Sequence, residues 1–192
     1  MITRRTLAAA AAALGLLTQI PAVLAAADAK GDPETWVVEI SNNILSRIKG
    51  AAMPVVDFER MTRMAVGPKW RTATPEQRTE LQSLFRAQLT NVYSGALATV
   101  KDQTVKLAPN RVKPTETDAI VRTLLVAPGK PDMRINYRLK KVKGEWRIID
   151  VDVEGIWLVD NYRSQFASVV NSSGIDGLIK SLREKVGQSA AK

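Results

Sequence analysis

The chain has 192 residues, with 28 Lys and Arg against 19 Asp and Glu, for a formal net charge of +9. It contains neither histidine nor cysteine, which excludes the commonest general base at neutral pH, thiolate nucleophiles, disulfides and the usual zinc ligand sets. Such a chain stands on its hydrophobic core alone, and its charge draws it toward anionic surfaces such as lipid headgroups or an acidic partner.

Residues 1–27 read as a signal peptide. Arg4 and Arg5 precede an apolar, alanine-rich run from Leu7 to Leu24, and the ending VLAAA offers small-residue cleavage sites near Ala25 or Ala27. Gln19 and Pro21 interrupt the run and no basic stop follows it, so a retained membrane anchor is the lesser reading. The order Thr3-Arg4-Arg5-Thr6-Leu7 also resembles a twin-arginine export signal. The expected organisation is a cleaved leader, a single domain over 28–187 and a flexible tail over 188–192. Export lowers the prospect of nucleic acid as a partner. Basic residues that are scattered, not interleaved with stacking aromatics, point the same way.

The domain opens with a helix from Asp32, where Asp32 caps and Pro33 fits the first turn; Trp36, Val37, Ile40, Ile44, Leu45 and Ile48 form its apolar face, and Gly50 ends it. A short helix spans Asp57 to Val66 and closes at Gly67-Pro68. Thr74-Pro75-Glu76-Gln77 spells a capping box, followed by a long helix to about Val100 with Leu81, Leu84, Phe85, Gln88 or Leu89, Val92 and Ala96 on its buried stripe.

After Lys101 the period changes from 3.6 to 2. Strands are expected at Thr104 to Ala108, Ala119 to Ala127, Met133 to Lys141 and from Glu145. Short turns at Pro128-Gly129 and Lys143-Gly144 make these an antiparallel meander. Val121, Thr123 and Leu125 oppose Ile120, Leu124 and Val126, whereas Trp146, Ile148, Val151 and Val153 on the fourth strand fall on both faces. Gly155 suggests a sharp strand-to-helix corner. Leu158, Tyr162, Phe166 and Val170 then form one helical stripe, and a second helix follows Gly174. The expected fold is α+β: a curved antiparallel sheet of about four strands packed against N-terminal, long central and C-terminal helices, with an apolar cavity between the layers and one sheet face covered by the long helix and the C-terminal pair.

Catalytic signals are sparse. Asp150, Asp152 and Glu154 alternate along one strand and are the single candidate cluster for acid–base work or a divalent cation. The blander reading pairs them with Arg134 and Arg138 on the neighbouring strand. No serine sits in a nucleophile motif and no glycine-rich loop resembles a phosphate cradle. No metal or cofactor is implied. What remains is an apolar interior. A curved sheet capped by helices can leave a cavity between its layers, suited to an acyl chain. At roughly 0.8 kcal/mol per methylene, one long chain supplies on the order of 10 kcal/mol of gross binding. Candidate lining residues are Phe85, Leu89 and Tyr93 on the long helix, Val121, Leu125, Ile135, Tyr137, Trp146, Ile148 and Val153 on the strands, and Trp157, Leu158, Tyr162 and Phe166 beyond them. Alternation leaves open which sheet face is involved.

Longer motifs carry a resemblance. They are Val66-Gly67-Pro68-Lys69-Trp70-Arg71, Ala73-Thr74-Pro75-Glu76-Gln77-Arg78 leading through Phe85 to Tyr93, Tyr137-Arg138-Leu139, the run Trp146 to Ile156, Asn161-Tyr162-Arg163-Ser164-Gln165-Phe166, and Gly174 to Ile179. Over roughly Thr35 to Lys185 the chain resembles the periplasmic phospholipid-binding MlaC proteins, also described as toluene-tolerance auxiliary proteins. The resemblance implies a carrier that holds lipid acyl chains in an apolar pocket. Its implied partners are an outer-membrane lipoprotein complex and an inner-membrane ABC transporter with its substrate-binding ring. It carries no catalytic residue onto this chain. The family pattern usually has serine where Trp157 stands, which bears on cargo shape. Similar proteins also occur beside hopanoid-synthesis genes, so a polycyclic lipid is an alternative cargo. A non-catalytic adaptor with a closed cavity and an exported carboxylate-dependent hydrolase are the rival readings. Arg163 is expected to fasten helix to sheet through Asp150, Asp152 or Glu154, or else to touch a headgroup.

Overall fold

The computed structural model describes residues 30–46, 55–98 and 103–190, with side chains placed for 30–42, 55–92 and 103–188. The leader, Ile48 and Gly50 lie outside the described residues. So do the side chains of Ile44, Leu45, Tyr93 and Ala96.

Local chemistry sets the helix starts. In α1, Pro33–Ser46, the Asp32 carboxylate accepts the Thr35 N–H at 2.7 Å. In α2, Phe58–Val66, Asp57 accepts the Arg60 N–H at 2.8 Å. A 3-10 turn, Gly67–Thr72, then buries Trp70. Helix α3, Pro75–Ala98, starts at the reciprocal box: Gln77 N–H donates to Thr74 Oγ1 at 3.2 Å, and Thr74 N–H donates to Gln77 Oε1 at 2.9 Å.

The sheet is antiparallel, in sequence order: β1 Thr104–Leu107, β2 Asp118–Val126, β3 Met133–Val142, β4 Glu145–Val153 and β5 Ile156–Trp157. The turn Lys143-Gly144 has φ of 52° and 82°, and Glu154-Gly155 has 53° and 92°. Both are two-residue hairpins with left-handed backbone at each central position, a geometry that favours glycine at one of them. The sharp corner expected at Gly155 is therefore a hairpin into a fifth strand. Helix α4, Leu158–Ala190, leaves from β5 and is broken at Gly174, whose φ of 69° and ψ of −169° are not helical. It continues past Gly187, where the sequence suggests fraying.

A β-bulge corrects the expectation that β4 gives apolar side chains to both faces. Arg138 pairs with Asp150 and Leu139 with Ile148, so Ile149 is an extra residue without a partner opposite. The phase of alternation flips there. Trp146 and Ile148 before the bulge, and Val151 and Val153 after it, all join the face that carries Leu139, Tyr137 and Ile135. This inner face also holds Ala119, Val121, Thr123 and Leu125 of β2.

Two clusters make the core. Trp36, Val37 and Ile40 of α1 pack on Ala119, Val121, Leu139, Trp146 and Ile148 of the inner face. The second cluster is helical and joins α2, the 3-10 turn, α3 and α4, with Val56 and Val151 touching both. The long helix does not cover the sheet as expected. It packs chiefly on α4 and α2, and these two reach β4. Of the helices expected against the sheet, it is the N-terminal one, α1, that covers this face. Its Asn42 amide donates to Val105 O at 3.2 Å and accepts the Val105 N–H at 2.7 Å, which satisfies the edge of β1.

Candidate functional site: the inner face of the sheet

The inner face changes character along the strands. At one end, Leu139 is 0% and Val121 1% exposed beneath α1. Val121 shares its row with Tyr137, whose hydroxyl accepts a hydrogen bond from Ser41 Oγ at 3.0 Å; burial pushes the phenol pKa up. The next row is Thr123, Ile135, Val153 and Ile156, in register across four strands. Ile135 and Val153 are half-buried there, Ile156 is 59% exposed, and Met133 beside them, opposite Leu125, is 43% exposed. An apolar surface thus runs continuously from sealed core to an open end.

The candidate residues divide among these places. Val121, Trp146 and Ile148 are in the cluster beneath α1, with Tyr137 packed against it. Ile135, Val153 and the buried Leu125 belong to the open end. Phe85, Leu89, Leu158, Tyr162 and Phe166 belong to the helical cluster. There Phe85 meets Tyr162 and Phe166 edge-on at ring-centroid distances of 4.9 and 5.3 Å, the arrangement of a packed aromatic core. Met133 and Ile156 were not among the candidates. The signal that would have found Ile156 is the two-residue hairpin, which aligns it with Val153.

Trp157 stands apart from the other strand candidates. It pairs with Asp152 and so stands on the outer face. The Arg138 guanidinium lies over its ring, 4.3 Å from the centroid, in cation–π contact. The indole is therefore not grouped with the inner apolar residues, and its size does not shape that face.

The strand carboxylates have separate partners. Asp150, 0% exposed, accepts the Val159 N–H at 3.0 Å and the Val151 N–H at 2.9 Å, and pairs with Arg138 at 3.1 Å. Burial pushes its carboxyl up, against the lowering effects of the Val159 N–H and Arg138. It serves as a remote cap for the first turn of α4. Asp152 accepts from Asn136 Nδ2 at 2.7 Å. Glu154 accepts from the Arg134 backbone N–H and guanidinium, and the backbone bond is the main reason its carboxyl is held down. Among the described residues no group of three or more Asp, Glu, His or Cys is arranged to hold a metal ion.

Arg163 also departs from expectation. It fastens α4 not to the strand carboxylates but to the end of α2: its Nε donates to Met64 O at 2.9 Å, and its NH1 pairs with Asp160 at 3.3 Å. The carbonyl it meets is one that the helix end leaves without an intrahelical donor.

Known proteins resemble this chain over most of its length. The MlaC protein family model matches residues 38–184. The toluene tolerance protein ttg2D of Pseudomonas putida is 30% identical over 133 residues, which is 69% of this chain and 60% of that protein. The intermembrane phospholipid transport system binding protein MlaC of Haemophilus influenzae is 19% identical over 150 residues, covering 77% of this chain and 70% of the relative. A phospholipid-binding protein from Ralstonia solanacearum, solved in complex with a phospholipid, is 34% identical. It superposes with a TM-score of 0.69 over 92% of this chain and 97% of its own. The α+β architecture and these matches agree, and the chain belongs to the MlaC family.

Proposed function

We propose that this protein is a periplasmic phospholipid carrier. It takes lipid acyl chains against the open end of the inner sheet face and leaves the polar headgroup toward solvent. It passes the lipid between an outer-membrane lipoprotein complex and an inner-membrane ABC transporter with its substrate-binding ring. The observation that carries this reading is the near full-length likeness to a solved chain that holds a phospholipid.

The physical support comes from the inner face. Ile135, Val153, Met133 and Ile156 offer apolar contact without the cover that α1 gives Val121 and Leu139. At roughly 0.8 kcal/mol per methylene removed from water, acyl chains laid there bind without any charged or catalytic group. The carboxylates of β4 and its turn are engaged by Arg138, Asn136 and Arg134, which favours a binding role over hydrolysis.

The test is organic extraction of the purified mature protein followed by lipid mass spectrometry. Glycerophospholipid at near-stoichiometric amounts is expected. Protein that is empty on purification, and stays empty after incubation with phospholipid liposomes, would overturn the reading.

A further inference from the structure

Exposure falls step by step along the lane of the inner face formed by β3 and β4. Met133 is 43% exposed. Ile135 and Val153, opposite one another, are half-buried, and so are Tyr137 and Val151 in the following row. Leu139 and Ile148, in the row after that, are 0% and 4% exposed. Tyr137 and Val151 therefore form the last row before the core closes. In this lane Tyr137 alone carries a polar group, and that group is fixed. Its hydroxyl accepts the bond from Ser41 Oγ at 3.0 Å, and Ser41 is itself buried on α1. The residue as a whole is half-buried while its hydroxyl is desolvated, so the part that remains open is not the tip. The ring bridges β3 and α1, joined to the strand at one end and to the helix at the other. A tyrosine has only two side-chain torsions, and the bond at its tip restrains both. A leucine or methionine there would be free to turn aside.

We propose that Tyr137, pinned by Ser41, is the stop that sets how far an acyl chain runs into the protein, and so gives the carrier an upper limit of chain length; this deepens the carrier reading above and rests on it. A chain that enters over Ile156, Val153 and Ile135 meets the ring before it reaches Leu139. Each methylene that leaves water on the way is worth roughly fourfold in affinity. Methylenes beyond the ring gain nothing, because they must fold back or stay in water. Pushing past the ring breaks the bond between Ser41 and Tyr137 and leaves buried polar groups unmet. One row along the strands is about 7 Å, the length of ~5 methylenes. The row at which the lane ends therefore decides between lipids that differ by a few carbons.

The experiment offers the full mature protein a homologous series of saturated diacyl phosphatidylethanolamines, from dilauroyl to dibehenoyl, together in one detergent mixture. Native mass spectrometry reads which members are bound. Wild-type loading is expected to rise along the series and then drop. Tyr137→Ala should move the drop to longer chains and raise the ratio of diarachidoyl to dipalmitoyl lipid by about fourfold or more, the gain of at least one further buried methylene. Tyr137→Leu makes the same measurement if the alanine variant does not fold. Tyr137→Trp enlarges the stop and should lower the ratio by a similar factor. Tyr137→Phe and Ser41→Ala keep the ring but remove its pin, and should fall between wild type and Tyr137→Ala. A ring that only packs the core would give variants that bind less of every lipid with the order of lengths unchanged. That result, or a wild-type profile without a drop, overturns the stop and leaves the carrier reading standing. A wild-type ratio in both Tyr137→Phe and Ser41→Ala also overturns it, because the ring then needs no pin. Wild-type protein that binds no member of the series removes both.

Discussion

The two ends of the inner sheet face are built from the same residue types and end in different states. At the α1 end, Val121 and Leu139 are sealed under Trp36, Val37 and Ile40. At the other end, Ile135 and Val153 are half-buried and Ile156 and Met133 are exposed. The strands continue from one end to the other with one bulge, and that bulge keeps β4 in phase with both. Strand pattern therefore makes the apolar face, and the placement of a single helix decides which part of it is core. An exposed apolar row next to a sealed one is the arrangement expected where a ligand completes the packing.

The largest effect should come from the sealed end. Leu139→Ala leaves a cavity beneath α1 and is expected to cost about 2–5 kcal/mol in urea unfolding. A cost below about 1 kcal/mol would mean the sealed end yields as easily as the open one, and the contrast would fail. A pair of insertions sharpens it. Val121→Trp forces an indole into a fully packed site, with an expected loss of about 1–3 kcal/mol. Ile135→Trp adds the same bulk where space is open, so stability should move by about 0.5 kcal/mol or less while lipid occupancy falls severalfold. Full lipid occupancy in Ile135→Trp would place the ligand elsewhere.

Much of this fold is legible in the sequence because its signals are local. The Thr74–Gln77 box, the Asp32 cap and the Lys143-Gly144 hairpin are each decided within a few residues. The pairing of Arg134 with Glu154 and Arg138 with Asp150 was also legible, since register brings them opposite or nearly so. What escaped depends on distant contacts. Periodicity cannot show that α1, and not the long helix, covers the sheet, because both helices carry an apolar stripe. The bulge at Ile149 is invisible to a strict period of 2, and it reverses the faces assigned to half of β4. Trp157 fell among the pocket candidates because hydrophobicity says nothing about which side of a two-residue strand it occupies. Arg163 chose a helix-end carbonyl over nearby carboxylates, a choice set by the approach of α2 to α4.

The outer face differs from the inner one in holding charge, and Asp150 is its most buried group. Burial raises the Asp150 pKa in the folded protein. The folded state therefore binds this proton more readily than the unfolded state. The stability it contributes is fully present below the unfolded value, near 3.8, and is lost as pH rises through the raised folded value. Asp150→Asn removes the titration. The stability advantage of wild type over the variant should be widest in acid and should narrow as pH rises, followed by urea unfolding across that range. An advantage that widens with pH would mean that Arg138 and the two backbone N–H groups outweigh burial.

A last contrast lies at the joint between α2 and α4, inside the helical layer. Arg163 is about half exposed, so its pair with Asp160 is screened and worth only about 0.2–1 kcal/mol. Its bond to Met64 O is different in kind. A charged donor meets a carbonyl at the negative end of α2, where helix dipole and orphaned acceptor both favour it. Arg163→Ala should thus cost about 1–2 kcal/mol by urea unfolding, and Asp160→Ala less than half of that. Because the joint supports the helical layer and not the open row, lipid occupancy of folded Arg163→Ala should stay close to wild type. Equal costs for the two variants would assign the effect to the surface ion pair. A loss of lipid with stability intact would instead bring Arg163 to the headgroup, and would tie the helical joint to the open end of the sheet.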